Sequence, residues 1–202
     1  MANAITLARL PLLFVIVALL YGTSPTLHLM CVPLLILLIL MDSLDGYVAR
    51  HRHESSVVGS VLDIMVDRIV EQVLWVVYAH LRLVPVAIPL LFIIRGVLVD
   101  TLRNTQVSEG VSPFQIMATR WGKFLVGSPA MRSSYAVVKL LSFSGLAATL
   151  AARGLWGVEA TSTQILGTSS LVLSWMAAAL CLARGIPVIV EAGGKLLATG
   201  KR

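Results

Sequence analysis

An all-α membrane protein is the fold class this sequence predicts, on three observations. Hydrophobic residues make up 57% of the chain and charged residues only 13%, about half the charged share of a soluble domain. The mean hydropathy is +0.89. The apolar residues also gather into runs near the length a helix needs to cross about 30 Å of hydrocarbon. Six such runs are expected as transmembrane helices: Ile5–Tyr21, Leu27–Val48, Val57–Ala79, Val84–Leu102, Ser134–Ala152 and Gln164–Val190.

The first run reads as a retained helix, because Arg9 interrupts any leader-like pattern and no small-residue cleavage site follows. Gly22-Thr23-Ser24-Pro25 ends it with turn-forming residues, and His80-Leu81-Arg82 separates the third run from the fourth. Thr105 to Met131 is a longer connection punctuated by Gly110, Pro113, Gly127 and Pro129. The sixth run is expected to break near Gly185-Ile186-Pro187, where proline cannot continue the helical bonding. No internal repeat or low-complexity tract divides the chain, and its length suits a single domain over residues 1–202.

Charge sets the orientation. Lysine and arginine outnumber the acids, 16 against 10. Arg9, Arg50, Arg52, Arg103, Arg120, Lys123, Arg132, Lys195, Lys201 and Arg202 fall on one side of a six-span arrangement, Arg82 and Arg153 on the other. The positive-inside rule then puts both termini in the cytoplasm. A nucleic-acid partner is excluded, since no basic run is interleaved with exposed aromatics. Cys31 and Cys181 lie far apart in apolar runs and read as buried thiols.

The chemistry gathers between Asp42 and Asp67. Asp42 and Asp45 are three residues apart at the end of the second run, and Asp63 and Asp67 four apart near the start of the third. On helices each spacing puts both carboxylates on one face. A hairpin of the two helices brings all four acids together at the cytoplasmic edge, where their repulsion calls for hard divalent cations. Gly46 and Gly59 either allow close helix packing or leave room for a bulky ligand beside the metal. Arg50 is either a phosphate ligand or a snorkelling topology residue. His51 and His53 sit in a charged turn, and carboxylate-rich sites select Mg²⁺ or Mn²⁺, so the histidines are left out.

Together these residues read D-x2-D-G-x2-A-R-x8-G-x3-D-x3-D, filled by Asp42, Asp45, Gly46, Ala49, Arg50, Gly59, Asp63 and Asp67. This resembles, at every specified position, the signature of the CDP-alcohol phosphotransferase family of membrane phospholipid-synthesis enzymes. The resemblance implies that an acceptor hydroxyl attacks the β-phosphorus of a CDP-linked donor and CMP leaves. It implies two Mg²⁺ or Mn²⁺ ions on Asp42, Asp45, Asp63 and Asp67, with Asp67 also the catalytic base. Gly46, Ala49 and Gly59 would line the cytidine pocket, and Arg50 would hold phosphate. A homodimer in the prokaryotic cytoplasmic membrane is expected on the same ground.

Asn3, Thr6 and Arg9 form an N-x-x-T-x-x-R start. It resembles that of family members using CDP-diacylglycerol, so Asn3 and Thr6 are donor-binding candidates; the alternative is interfacial anchoring of the first helix. In the fourth run, Arg95 and Arg103 are eight apart and share a face. An arginine inside a membrane segment needs a partner, either Asp100 or an anionic substrate. With Gly122-Lys123 they resemble the acceptor-phosphate pattern of phosphatidylglycerophosphate synthases, and a phosphorylated acceptor suits Arg95, Arg103, Lys123 and Arg132. The match departs at Gly96, where that pattern has an acid, and after Lys123, where Phe124-Leu125 replaces Lys-Thr. Lys139 either adds to this pocket or snorkels. The expected reaction joins CDP-diacylglycerol to glycerol 3-phosphate, with serine, inositol phosphate or another polyol as alternative acceptors. A cation transporter is the reading from another class, but transport predicts acids spread through the membrane depth rather than gathered at one edge.

Overall fold

The computed structural model describes residues 2–51, 57–108, 124–125 and 128–199, with backbone alone for 2–3, 43–51, 57–58, 60, 103–108, 129 and 192–199. Among these residues every regular element is a helix. In chain order they are α1 (Ala2–Leu20), α2 (Pro25–His51), α3 (Val57–His80), α4 (Ala87–Ser108), α5 (Pro129–Trp156) and α6 (Thr161–Thr199). Pro25 and Pro129 open their helices, where a missing N–H costs nothing. Beyond the helix ends, Arg82 and Gly157 take the left-handed conformation (φ 55° and 84°) that turns the chain.

The expected break in α6 does not occur. The helix runs unbroken through Pro187 to Thr199. Proline removes one backbone bond, but in a membrane helix packed neighbours tolerate that loss. Cys181 and Val188 on either side of it are buried in the bundle.

Three stretches are long and apolar enough to cross a membrane by length and composition: Pro25–Asp42, Ala130–Trp156 and Thr161–Glu191. The apolar part of α1, Ala4–Leu20, is shorter. Helices α3 and α4 carry Asp63, Asp67, Arg68, Glu71, Arg95 and Asp100 among their apolar residues, which dilutes their hydropathy. The outer faces of the bundle are apolar, with Phe14, Leu29, Ile94, Val137 and Trp175 all exposed. Such a surface suits lipid and not water, and the chain is a membrane protein.

Helix α3 packs against α4 and α5 through aromatic rings. Its Trp75 stacks on Phe92 of α4 with centroids 4.9 Å apart and meets Phe143 of α5 at 4.7 Å. Tyr78 donates to the Phe143 carbonyl at 2.8 Å. Lipid tails are as apolar as these rings, so close packing and buried hydrogen bonds, not exclusion from water, hold the helices together. The same logic explains the α5–α6 seam. Ser142 and Ser174 hydroxyls lie 2.7 Å apart, and a Cβ on Gly145 would come within 2.5 Å of the Ser170 hydroxyl. Only glycine permits that approach.

Two opposite ends result. At one, Tyr21 bonds His80 at 2.8 Å and His28 bonds the Gly22 carbonyl at 2.7 Å. At the other lie Arg9, Asp42, Asp63 and Asp67. The two cysteines are free and buried.

Candidate active site

Asp42 stands near the end of α2, and Asp63 and Asp67 one turn apart in the first half of α3. One oxygen from each of the three lies within 4.8 Å of the others. Neighbouring turns of a helix stack their side chains on one face, so α3 supplies two carboxylates in register and α2 brings the third. The cluster is half open, with side-chain exposures of 37% for Asp42, 44% for Asp63 and 50% for Asp67. Carboxylate oxygens at this spacing fit hard divalent cations, which take oxygen ligands at about 2.0–2.6 Å. With no histidine or thiolate in the set, the donors suit hard cations such as Mg²⁺, Ca²⁺ or Mn²⁺.

On the buried side the cluster is closed by Arg9 of α1, only 3% exposed. Its Nη1 donates to Asp42 Oδ1 at 2.8 Å and to Asp63 Oδ1 at 3.4 Å, and its Nη2 to Asp67 Oδ1 at 2.5 Å. Three helices are thus joined through one guanidinium. The topological reading of Arg9 overlooked this; an arginine set among apolar residues, on one face with Thr6, was the available signal. Thr6 is itself buried one turn before Arg9.

Several residues of the motif lie outside the described side chains. The Asp45, Gly46, Ala49 and Arg50 positions belong to α2 by backbone alone, as Asn3 does to α1 and Arg103 to α4. Lys123, and the histidine pair at 51 and 53, are likewise not described by side chain. Gly59 lies one turn before Asp63 on α3.

A second polar cluster lies one turn further along α3. Arg68 holds Asp100 of α4 through Nε at 2.9 Å and Nη2 at 3.1 Å, and reaches Glu71 at 3.1 Å. Glu71, 6% exposed, also accepts from Tyr135 and Lys139 of α5, both at 2.8 Å. Asp100 is therefore the partner of Arg68 and not of Arg95, and Lys139 points into the bundle instead of snorkelling. At Gly96 the α4 backbone faces Arg68 and Gln72, and Asp100, one turn on, supplies the carboxylate.

Arg95 remains, only 8% exposed. Its side chain lies against α6 at Gly185, where an added Cβ would come within 2.7 Å of it. Next along α6, Arg184 sits over the Tyr135 ring at 5.2 Å, within electrostatic reach of Arg95 and Arg132. The Nε atoms of Arg95 and Arg184 are buried with no acceptor among the described residues. Arg95 of α4 and Arg184 of α6 thus lie near each other, while Asp100 and Glu71 are engaged by Arg68 and Lys139. Of the expected acceptor residues, Arg95 is buried here and Arg132 stands on the exposed first turn of α5. Arg68, Glu71, Tyr135 and Arg184 were missed. The three-residue spacing of Arg68 and Glu71 was a readable signal for an ion pair; Arg184 had none.

No curated protein matches the chain. A family model does. CDP-alcohol phosphatidyltransferase matches residues 1–183, and the chain belongs to that family of transferases, which move a phosphatidyl group from a CDP-alcohol.

Proposed function

We propose that the protein transfers the phosphatidyl group of CDP-diacylglycerol to glycerol 3-phosphate, releasing CMP, as a phosphatidylglycerophosphate synthase does. Residues 1–202 act as one domain with six membrane spans, both termini in the cytoplasm of a prokaryotic cell, and pair as a homodimer. The observation that carries the acceptor assignment is the pair Arg95 and Arg184, whose Nε atoms are buried with no acceptor among the described residues, beside Asp100 and Glu71, which Arg68 and Lys139 engage. An uncompensated cation in low dielectric is costly. A phosphate monoester, with its charge and acceptor oxygens, offsets that cost. Serine, lacking a phosphate, does not.

On this reading the hydroxyl oxygen of the acceptor forms a bond to the β-phosphorus, the bond from that phosphorus to the CMP oxygen breaks, and CMP carries away the electron pair. Asp67 takes the hydroxyl proton, held in place by the Arg9 guanidinium. Asp42, Asp45, Asp63 and Asp67 would hold two Mg²⁺ or Mn²⁺ ions, which supply charge neutralisation of the pyrophosphate. Asn3, Thr6, Gly46, Ala49, Arg50 and Gly59 bind the CDP part of the donor. Arg95, Arg103, Lys123 and Arg132, with Arg184, position the acceptor.

The test is to incubate purified protein with CDP-diacylglycerol and a panel of glycerol 3-phosphate, inositol phosphate, serine and glycerol, and to identify the lipid formed. Phosphatidylglycerol phosphate is expected. Inositol phosphate as the preferred acceptor would keep the cationic site and change the alcohol; serine or glycerol as the preferred acceptor would remove the assignment.

A further inference from the structure

We propose that Arg9 is a positioning residue of this centre, a fixed internal cation that holds the three carboxylates together and weakens their grip on divalent ions. The inference rests on the metal reading above. Its geometric basis is the shared guanidinium, bonded to Asp42, Asp63 and Asp67 at once from the buried side. The same three carboxylates turn half of their surface outward. Arginine keeps its charge under all ordinary conditions and has no acceptor atoms. Every divalent ion entering from the open side therefore meets carboxylates already polarised by a positive neighbour a few ångströms behind them.

Two consequences follow from Coulomb's law in a partly buried site. Removing the charge leaves a more strongly negative cluster, which repels itself and attracts cations more. Arg9 and the divalent ions thus act in opposition on affinity and in parallel on stability. For a transferase that must bind and release a pyrophosphate-bearing lipid, a moderated metal affinity keeps the site exchangeable. A merely structural salt bridge predicts no gain in metal affinity and a stability loss that divalent ions do not recover.

The experiment is Mn²⁺ titration of the full-length protein in detergent, with free Mn²⁺ followed by electron paramagnetic resonance and thermal unfolding recorded in EDTA and in saturating Mn²⁺. Arg9→Gln is expected to bind Mn²⁺ at least about tenfold more tightly than wild type. Its unfolding temperature should fall in EDTA and recover in Mn²⁺, with a larger Mn²⁺-induced rise than wild type because tighter binding stabilises more. Arg9→Lys, which keeps the charge, should stay within about threefold of wild-type affinity. Equal or weaker Mn²⁺ binding by Arg9→Gln overturns the proposal, as does a stability loss of the same size in both media. An Arg9→Gln protein that cannot be folded even when prepared in Mn²⁺ throughout also overturns it. Absence of saturable Mn²⁺ binding by wild type removes the metal centre and this inference with it; wild-type binding that Arg9→Gln leaves unchanged removes this inference alone.

Discussion

Asp67 and Arg68 are neighbours in sequence and belong to opposite sites. A helix turns about 100° per residue, so Asp67 meets Arg9 of α1 while Arg68 is turned to Asp100 of α4, and Glu71, one turn after Asp67, reaches Arg68 and the α5 residues Tyr135 and Lys139. On the first flank, three carboxylates share the described contacts of one arginine, and the side chains are half open. On the second, Glu71 and Asp100 pair with Arg68 and Lys139, Arg95 and Arg184 lie near them, and Glu71 and Arg95 are buried. Each flank has an excess of one charge, and the excesses are opposite. Internal pairing satisfies part of each cluster, and the remainder sets the charge of the ligand it can take: cations on one side, an anion on the other. A single helix thus contributes side chains to both the proposed donor site and the proposed acceptor site.

The sharpest way to break this contrast is on the acidic flank. Asp63→Asn or Asp67→Asn should lower CMP release by about 10²–10⁴-fold while the protein still inserts and folds. Excess EDTA should have a comparable effect on wild type, reversed by Mg²⁺ or Mn²⁺; turnover that survives either treatment would detach the acids from the chemistry.

On the basic flank the effect should be smaller and selective. Arg95→Ala or Arg184→Ala should raise KM for a phosphorylated acceptor by about 10–100-fold, the worth of a charge-assisted hydrogen bond. KM for the CDP-lipid should change by no more than about twofold. Equal effects on both substrates would make these arginines structural.

The internally paired groups should respond through stability instead. Glu71→Gln leaves Lys139 and Arg68 facing a neutral amide in a buried place, and breaking such a pair costs about 3–5 kcal/mol. A fall in unfolding temperature with KM values intact is the expected signature. Smallest of all, Ser174→Ala at the α5–α6 seam should cost about 1 kcal/mol with no kinetic change; a loss of acceptor affinity there would mean that the seam shapes the pocket.

How much of this was legible beforehand varies with the range of the interaction. The spacing of Asp63 and Asp67 gives one face by helix geometry alone, and their meeting with Asp42 follows from a hairpin. Arg9 lies 33 residues from Asp42 and 58 from Asp67, and no local period links such positions. For Asp100 the candidate partner within its own helix was Arg95, five residues away, yet it pairs with Arg68 across 32 residues. Pro187 misled for a related reason: a single missing bond marks a break only where packing does not hold the helix.

Composition and periodicity determined the helical membrane class, because solvation by lipid is a property summed over many residues. The aspartate motif determined the family by its spacing, since catalysis at a helix hairpin tolerates few registers. Only the tertiary structure decided which charges are spent on each other. Glu71 and Asp100 neutralise Arg68 and Lys139, and Arg9 backs the carboxylates, because ion pairing in low dielectric depends on distances of a few ångströms between helices that the linear order of residues does not encode.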